Sequence, residues 1–246
     1  MPLTNHPAKH LWNSHSPSAY PDGVIPVPEP IPGTAFFPGG YGLWGTGADV
    51  DLPEFPVGGV MILGHDFHSE VGYKASLRKG TEPETQPTWR KLLEVLRGAD
   101  IPLEKCFFTN FYVGLREGDE ATGPFPGARN KNFVQHCTKF FVGQLTVMRP
   151  STIVTLGKYV PGLIAPLSRE LAAWRDSDGF RQIDIRPVAY DCRFDGVSDF
   201  ETTVVALVHP SMRHASVGIR QYGGLRGNDA ETAMLRNALH ESMKGT

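Results

Sequence analysis

Four short apolar segments, each ending near a residue able to bind or react, constrain the fold of this chain most. They are "VMILG", "CFFTN", "TIVTLG" and "VVALVHPS", which end at or beside Gly64, Asn110, Gly157 and His209. Continuous apolar runs of this length, rich in Val, Ile and Phe, are typical of buried parallel strands. Ligands of open α/β sheets bind beyond the carboxyl ends of such strands, so we expect these four ends to converge on one crevice.

Helical patterns separate the apolar segments from Val57 onward. The segments "QPTWRKLLEVLRGAD" and "NFVQHCTKFFVGQLTVMRP" have the periodicity of helices, and one or two further strands are predicted within residues 174–203. Asn228 and Glu231 form a capping-box pattern before a terminal helix. Residues 57–246 are therefore predicted to form an α/β domain with three α/β/α layers around a central, mostly parallel sheet of four to five strands.

Residues 1–56 differ from the rest in their recurring Pro and Gly, interleaved with Phe36, Phe37, Tyr41, Trp44 and Phe55. The proline density argues against long helices, and the aromatic residues argue against a disordered tail. We expect an arm wrapped over the surface of the domain. A segment that becomes ordered only when substrate binds is the alternative.

Composition narrows the class of protein. Hydrophobic residues make up 40% and charged residues 20% of 246 residues, which suits a globular α/β domain. The formal net charge of −2 means that any nucleic-acid binding must come from a local basic face. The three cysteines lack metal-site spacing, and we expect Cys106 and Cys137 to be buried as small apolar residues.

The sequence contains neither an apolar run long enough to span a membrane nor a secretory signal pattern. We therefore expect a soluble protein without membrane contact. The expected location is the cytoplasm, with association to a bacterial-type nucleoid, or another intracellular compartment.

The loop "GHDFH" after the first strand offers several reactive groups. Gly64 lets a ligand approach the main chain, and the Asp66 carboxylate can orient a water, act as a base or stabilise a cationic transition state. Two alternatives stay open: Asp66 caps the next helix, or it joins His65 and His68 in a metal site, although no further ligand cluster supports the metal.

Asn110 and His209 are the candidate polar groups at two other strand ends. The Asn110 amide presents a donor and an acceptor, so it can bind the edge of a base; a turn-forming Asn is the alternative. A neutral His209 can donate a hydrogen bond to charge that develops on a leaving group. Ser211 can contact a phosphate, and the basic residues Arg213, His214, Arg220 and Arg226 suit a polyanionic strand.

Together, "ILGHDFH", "FFTN", "IVTLG" and "HPSMRH" make the chain resemble the uracil-DNA glycosylase superfamily over about residues 57–244. Members share a first loop of the type G-Q-D-P-Y-H or G-E-x-P-G, an Asn at the end of the next strand, an I-V-x-L-G strand and a final H-P-S loop. The resemblance implies cleavage of an N-glycosidic bond in DNA after the target nucleotide is flipped out of the stack.

By motif position, the resemblance implies a role for each matching residue. Asp66 orients the water or stabilises the sugar oxocarbenium, Asn110 binds the base edge, and His209 stabilises the departing pyrimidine anion. Ser211 contacts the backbone phosphate, and Arg213 wedges into the vacated stack. The other expected base contacts are His65, Phe67, His68 and Tyr73, and the other expected DNA contacts are Gly64, Met212, His214 and Arg220. The expected partner is single- or double-stranded DNA with an altered base, bound by a monomer that uses no cofactor and no metal.

The first loop also departs from the family pattern. Phe67 and His68 replace the Pro-Tyr whose Tyr excludes the thymine methyl in the uracil-specific enzymes, so the predicted substrate is uracil or a modified pyrimidine. The alternatives are an anti-phage glycosylase that removes modified cytosine, such as glucosylated hydroxymethylcytosine, and an inactive relative that only binds nucleic acid. An α/β hydrolase is disfavoured because no G-x-S-x-G motif is present.

Overall fold

The computed structural model describes residues 6–42, 52–82 and 84–244, with side chains described up to residue 241. The helices in chain order are α1 (Pro7–Ser14), α2 (Glu70–Lys79), α3 (Pro87–Gly98), α4 (Lys131–Met148), α5 (Val160–Ile164), α6 (Phe180–Ile183), α7 (Arg213–Ser216) and α8 (Gly227–Lys244). The strands are β1 (Val24–Ile25), β2 (Val60–Gly64), β3 (Cys106–Asn110), β4 (Leu115–Arg116), β5 (Thr152–Leu156), β6 (Val188–Cys192), β7 (Thr202–Leu207), β8 (Gln221–Tyr222) and β9 (Leu225–Arg226).

A central five-stranded sheet has the strand order β3-β2-β5-β7-β6 and is flanked by helices. Strand β5 runs parallel to both β2 and β7, whereas β6 is antiparallel to β7. The four apolar segments form β2, β3, β5 and β7, so the predicted α/β class and the mostly parallel sheet are confirmed. One strand, β6, occupies the region between residues 174 and 203. The arrangement is consistent with three α/β/α layers.

Burial on both faces explains why these strands have no polar alternation. Every residue of β2, β3, β5 and β7 is buried, as expected for strands covered by helices on both sides. Helix α8 packs on β5, β6 and β7, and α3 packs on α8. The apolar stripe of α3 is buried from Trp89 to Leu96.

The chain forms two compact units whose segments interleave along the sequence. One contains the described residues of 1–55 with 65–82 and 107–147, and the other contains those of 56–64, 83–106 and 148–246. One of the changes from the first unit to the second falls between Phe55 and Pro56, next to the predicted boundary. Early residues fold together with the segments that follow β2 and β3, rather than standing apart from them.

The early segment contributes to a core. Ile31, Ala35 and Phe37 are each almost completely buried, and β1 pairs with β4 in a small antiparallel sheet. Apolar residues of the segment that was predicted to be an arm are therefore part of a packed core. The part of the predicted arm around Trp44 lies outside the described residues.

Two smaller expectations concern cysteines and membranes. Cys106, Cys137 and Cys192 are all free and buried, and the expected burial of the first two is confirmed. Among the described residues, no helix has the length and apolar character to cross a bilayer.

Candidate active site

The Asp66 carboxylate occupies the loop that follows β2 and is surrounded by donors. Its Oδ1 accepts from the His68 backbone N–H at 3.0 Å and from Arg116 Nε at 3.2 Å. Its Oδ2 lies 2.8 Å from Arg116 Nη2 and 2.7 Å from His65 Nδ1. A carboxylate has about four acceptor positions, so the protein already supplies a partner for each.

Arg116, in β4, holds Asp66 with a fully satisfied guanidinium. Besides its two bonds to Asp66, its Nη1 donates to the carbonyls of Thr122 and Pro124, and its Nη2 donates to that of Gly123. All five N–H groups of the side chain therefore have acceptors. Only 4% of the Arg116 side chain and 8% of the Asp66 side chain are exposed, so water screens this pair weakly.

The carboxyl group of Asp66 is ionised in this setting. Burial on its own would raise its pKa, but hydrogen bonds from His65 and Arg116 outweigh burial and hold the pKa well below the usual range. An anion with four donors around it and a lowered pKa is a weak proton acceptor. Its hydrogen bonds fix its position relative to Arg116 and the His65 ring.

A stack of aromatic rings supports the other side of this loop. The Tyr112 and Phe125 rings are 4.6 Å apart and nearly parallel, and Phe125 continues the stack onto Phe133. At the edge of the stack, the Tyr112 ring contacts the His65 ring, and the planes of the two rings are at 89° to each other. The Arg116 guanidinium lies over Phe125. Aromatic and cation–π contacts of this kind restrict the rings to one arrangement.

Backbone hydrogen bonds join the same two segments. The Tyr112 N–H donates to the His65 carbonyl at 3.0 Å, and the Arg116 N–H donates to the His68 carbonyl at 3.1 Å. The loop is thus held by its main chain as well as by its carboxylate. Ser69 then caps α2 by accepting from the Gly72 N–H. Ser69, rather than Asp66, is the N-cap, so the capping alternative for Asp66 is wrong.

Asn110 ends β3 with unused hydrogen-bonding capacity. The residue is 5% exposed, and within the described part of the chain its carboxamide makes no hydrogen bond. Its side chain presents a donor and an acceptor at the end of the strand.

Phe67 and Tyr73, two of the predicted base contacts, lie in an environment that differs from the predicted one. Both are buried in an apolar cluster with Val27, Ile31 and Leu115, and the Tyr73 hydroxyl donates to the Glu29 carbonyl at 2.6 Å. Their faces pack against protein, which corrects the expectation that they stack on a base. 

His68 is exposed and has a positive φ of 76°. Its ring nitrogen Nδ1 lies 3.1 Å from the Ser69 hydroxyl. Among the described residues, no group of three His, Cys, Asp or Glu side chains is arranged to hold a metal ion.

In the second unit, three parallel strands end at one edge of the sheet. Leu63 of β2 pairs with Thr155 of β5, and Leu156 pairs with Leu207 of β7. The ends of these strands therefore bring Gly64, Gly157 and the start of the His209 loop to the same edge. Gly64 is buried at the last position of β2, where the chain passes directly into His65.

His209 is held in a defined orientation by the residue two positions later. Its Nδ1 accepts from the Ser211 N–H at 3.4 Å and lies 2.8 Å from the Ser211 hydroxyl. An Nδ1 that accepts a hydrogen bond leaves the proton of the neutral ring on Nε2. His209 can therefore donate through Nε2, and Ser211, although exposed, serves to orient the ring.

Gly157 gives the His209 loop the space that it occupies. Its φ is +88°, and a Cβ built there would lie 3.3 Å from the His209 Cβ. Both the backbone conformation and the close approach favour glycine at this position.

A buried ionic network lies behind the His209 loop. The Glu231 carboxylate accepts from Arg213 Nη1, from Arg220 Nη1 at 2.5 Å and from the Val208 N–H at 2.7 Å. Arg220 is completely buried and also contacts Asp184. Arg213 is 6% exposed and also donates to Asn228. Buried charges are stable only when paired in this way.

This network corrects two predicted DNA contacts. Arg220 has no exposed surface, and Arg213 has its guanidinium bound to Glu231 and Asn228. Neither is placed to contact a phosphate or to enter a base stack. Instead, Met212 is 51% exposed and His214 is also exposed. Met212 is thus a large apolar side chain beside His209 that projects into solvent.

A cavity of about 850 Å³ in this unit lies at the opposite ends of the strands. Gly59 and Ser151, which precede β2 and β5, line it together with Arg236 and His240 of α8. It is therefore remote from the strand ends that position His209, and we do not assign the chemistry to it.

Sequence reasoning missed two residues that organise the site, Arg116 and Glu231. Arg116 follows an apolar segment, "FYVGL", and an arginine in such a context is a candidate for a buried ion pair. Glu231 was assigned to a capping box, whereas its carboxylate binds Arg213, Arg220 and the Val208 N–H.

Comparison with known proteins does not assign the chain to a family. No model of a protein family and no curated protein sequence matches it.

Proposed function

We propose that the protein is a DNA glycosylase that hydrolyses the N-glycosidic bond of uracil or a modified pyrimidine flipped out of DNA, and leaves an abasic site. The observation that carries this proposal is that each of the four glycosylase-like motifs lies at the end of a strand of the central sheet. In α/β folds, such strand ends hold the reacting groups.

The chemistry available at the individual residues supports the proposal. The Asn110 carboxamide can bind the donor and acceptor edge of a pyrimidine. The Nε2–H of His209 can stabilise the oxygen anion of the departing base, since Ser211 holds the other ring nitrogen. The negative charge of Asp66 favours an oxocarbenium-like sugar.

The first test is a base-release assay with purified protein and mass spectrometry of the products. Substrates are uracil-containing oligonucleotides and DNAs with 5-substituted cytosines, including glucosylated phage DNA. Release of uracil supports a repair function, and release of only a modified base supports the anti-phage alternative. Absence of release from every substrate, with DNA binding retained, contradicts the proposal and favours the non-enzymatic relative.

Two variants connect the activity to the site. His209→Ala is expected to lower the rate of base release by about 10²–10³-fold, the usual effect of removing one donor to a developing anion. Asn110→Ala is expected to weaken release and base discrimination together. His240→Ala, which changes an exposed histidine of α8, is the matched control and should keep the wild-type rate.

A further inference from the structure

The His65–Asp66 pair has the geometry of an oriented imidazole base. His65 Nδ1 lies 2.7 Å from Asp66 Oδ2. Because Asp66 is an anion paired with Arg116, its oxygens can only accept, and the proton between the two residues belongs to His65 Nδ1. In the neutral ring the lone pair is then on Nε2.

Asp66 itself is poorly suited to remove a proton from water. Each of its oxygens already accepts from two donors. A water could approach it only by displacing one of these donors. The His65 side chain, by contrast, is 16% exposed, twice the value for Asp66.

The surroundings of His65 keep its ring in one orientation. Tyr112 packs edge-on against the ring with the centroids 5.1 Å apart, and Phe125 makes a similar contact at 6.5 Å. The titratable or charged groups in contact with the ring or its carboxylate partner include Asp66, Tyr112 and Arg116. Burial raises the pKa of Tyr112 to about 12, so this phenol stays neutral around pH 7.

We propose that His65 Nε2, oriented by Asp66, is the general base that activates the attacking water. Arg116 is a positioning residue that keeps Asp66 in place. The inference rests on the proposed glycosylase function and names the proton acceptor of that reaction. It differs from the role that the resemblance implies for Asp66, which is to orient the water or stabilise the sugar oxocarbenium, because here the carboxylate orients His65 and the imidazole acts on the water.

The water oxygen forms a bond to the anomeric carbon C1′ while the bond from C1′ to the base nitrogen breaks. The electron pair of that bond leaves with the base as its anion. The water proton passes to His65 Nε2 and subsequently to the released base through solvent. No oxidant, reductant or cofactor enters the step.

The test measures base release by His65→Asn and His65→Gln under single-turnover conditions. Each variant replaces the imidazole with an amide that corresponds to part of the ring. In His65→Asn the side-chain amide lies near the position of Nδ1, so it can donate to Asp66. The variant has no group equivalent to Nε2. His65→Asn is therefore expected to preserve the thermal unfolding midpoint and to lower the rate of base release by about 10²–10⁴-fold, the usual contribution of a general base. His65→Gln should lose activity to a similar extent.

The pH dependence separates a base from a structural residue. The wild-type rate is expected to fall on the acid side with the slope of one proton, because a protonated imidazole cannot accept another. The residual rate of His65→Asn should lack this limb. In His65→Ala, added imidazole should restore part of the activity. His10→Asn, which changes an exposed histidine of α1, should retain both the rate and the acid limb.

The outcomes distinguish this inference from the proposed function. If the wild-type protein releases a base but His65→Asn keeps its rate and its pH profile, His65 is not the base and the glycosylase function stands. The same conclusion follows if imidazole fails to rescue a folded His65→Ala variant. If the wild-type protein releases no base from any substrate, the proposed function itself fails.

Discussion

The Glu231 carboxylate accepts the backbone N–H of Val208 at 2.7 Å. This bond ties the interior of helix α8 to the residue that precedes His209. The same carboxylate binds Arg213 and Arg220, so one buried anion pairs with two buried cations and also holds the end of a strand. The orientation of the His209 loop therefore depends on a residue that can make no contact with solvent.

Glu231→Gln is expected to destabilise the protein by about 3–5 kcal/mol, because it leaves two buried guanidinium groups without their shared anion. Urea unfolding followed by circular dichroism measures this change. The control is Glu94→Gln, which removes an exposed i,i+3 pair with Lys91 and should cost no more than about 1 kcal/mol. Equal stability of the two variants would show that the network contributes little.

Acidification should weaken the protein through Asp66. Its pKa is lowered in the folded state, so its contribution to stability is complete above the unfolded-state pKa of about 4 and is lost as the pH falls below that value toward the folded-state pKa. Asp66→Asn lacks this contribution. The difference in unfolding free energy between wild type and Asp66→Asn should therefore be large at about pH 7 and shrink below about pH 4.

Urea unfolding of both proteins across this pH range provides the measurement. The exposed carboxylate of Asp119 offers a control, and Asp119→Asn should follow the wild-type pH dependence. A stability difference between wild type and Asp66→Asn that stays constant from neutral to acidic pH would contradict the assigned role of the Asp66–Arg116 pair.

Met212 and Arg213 should respond differently to truncation. Met212 is exposed and apolar beside His209, as expected of a side chain that inserts between bases. Met212→Ala should lower base release from duplex DNA more than from single strands and leave stability unchanged. Arg213→Ala should instead destabilise the fold, since it breaks the pair with Glu231. Release rates on matched duplex and single-stranded substrates, with unfolding curves, decide between these roles. Equal losses on both substrates for a stable Met212→Ala protein would remove the wedge assignment.

Gly157→Ala should move the His209 loop. An alanine at φ +88° is strained by about 1–2 kcal/mol, and its Cβ would press on that of His209. We expect roughly tenfold slower base release, the effect of about 1.4 kcal/mol in the barrier. Gly143→Ala is the control, because a Cβ at Gly143 meets no atom within 4 Å and alanine favours its helix. Wild-type activity in Gly157→Ala would show that the close approach is not needed.

The sheet could be predicted from the sequence because its strands are short apolar runs without polar alternation, a pattern that few other structures produce. The residues at the strand ends followed from the same pattern. Asn110 and His209 are separated by 99 positions in the sequence, yet each is recognisable because a polar group directly after a buried strand is unusual.

The errors concern residues whose role depends on a distant partner. Arg213 and Arg220 look like surface cations in the sequence, and only the fold shows that Glu231 lies between them. Phe67 and Tyr73 were predicted to contact a base because they lie in or soon after the loop that contains Asp66. In the structure they belong to an apolar cluster with Val27 and Ile31. Single-sequence periodicity carries no information on such long-range pairings, so the early segment could not be placed in a core.

The ion pair that holds the reactive loop also has a consequence for synthesis of the protein. Arg116 follows Asp66 by 50 residues, and a ribosome that adds about 5–20 residues per second needs roughly 3–10 s to make this interval. During that time Asp66 has no Arg116 guanidinium to pair with. Strand β1 likewise lacks its partner until β4 has been made. The His65–Asp66 geometry is therefore completed only after nearly half of the polypeptide has emerged, long after its own residues are made.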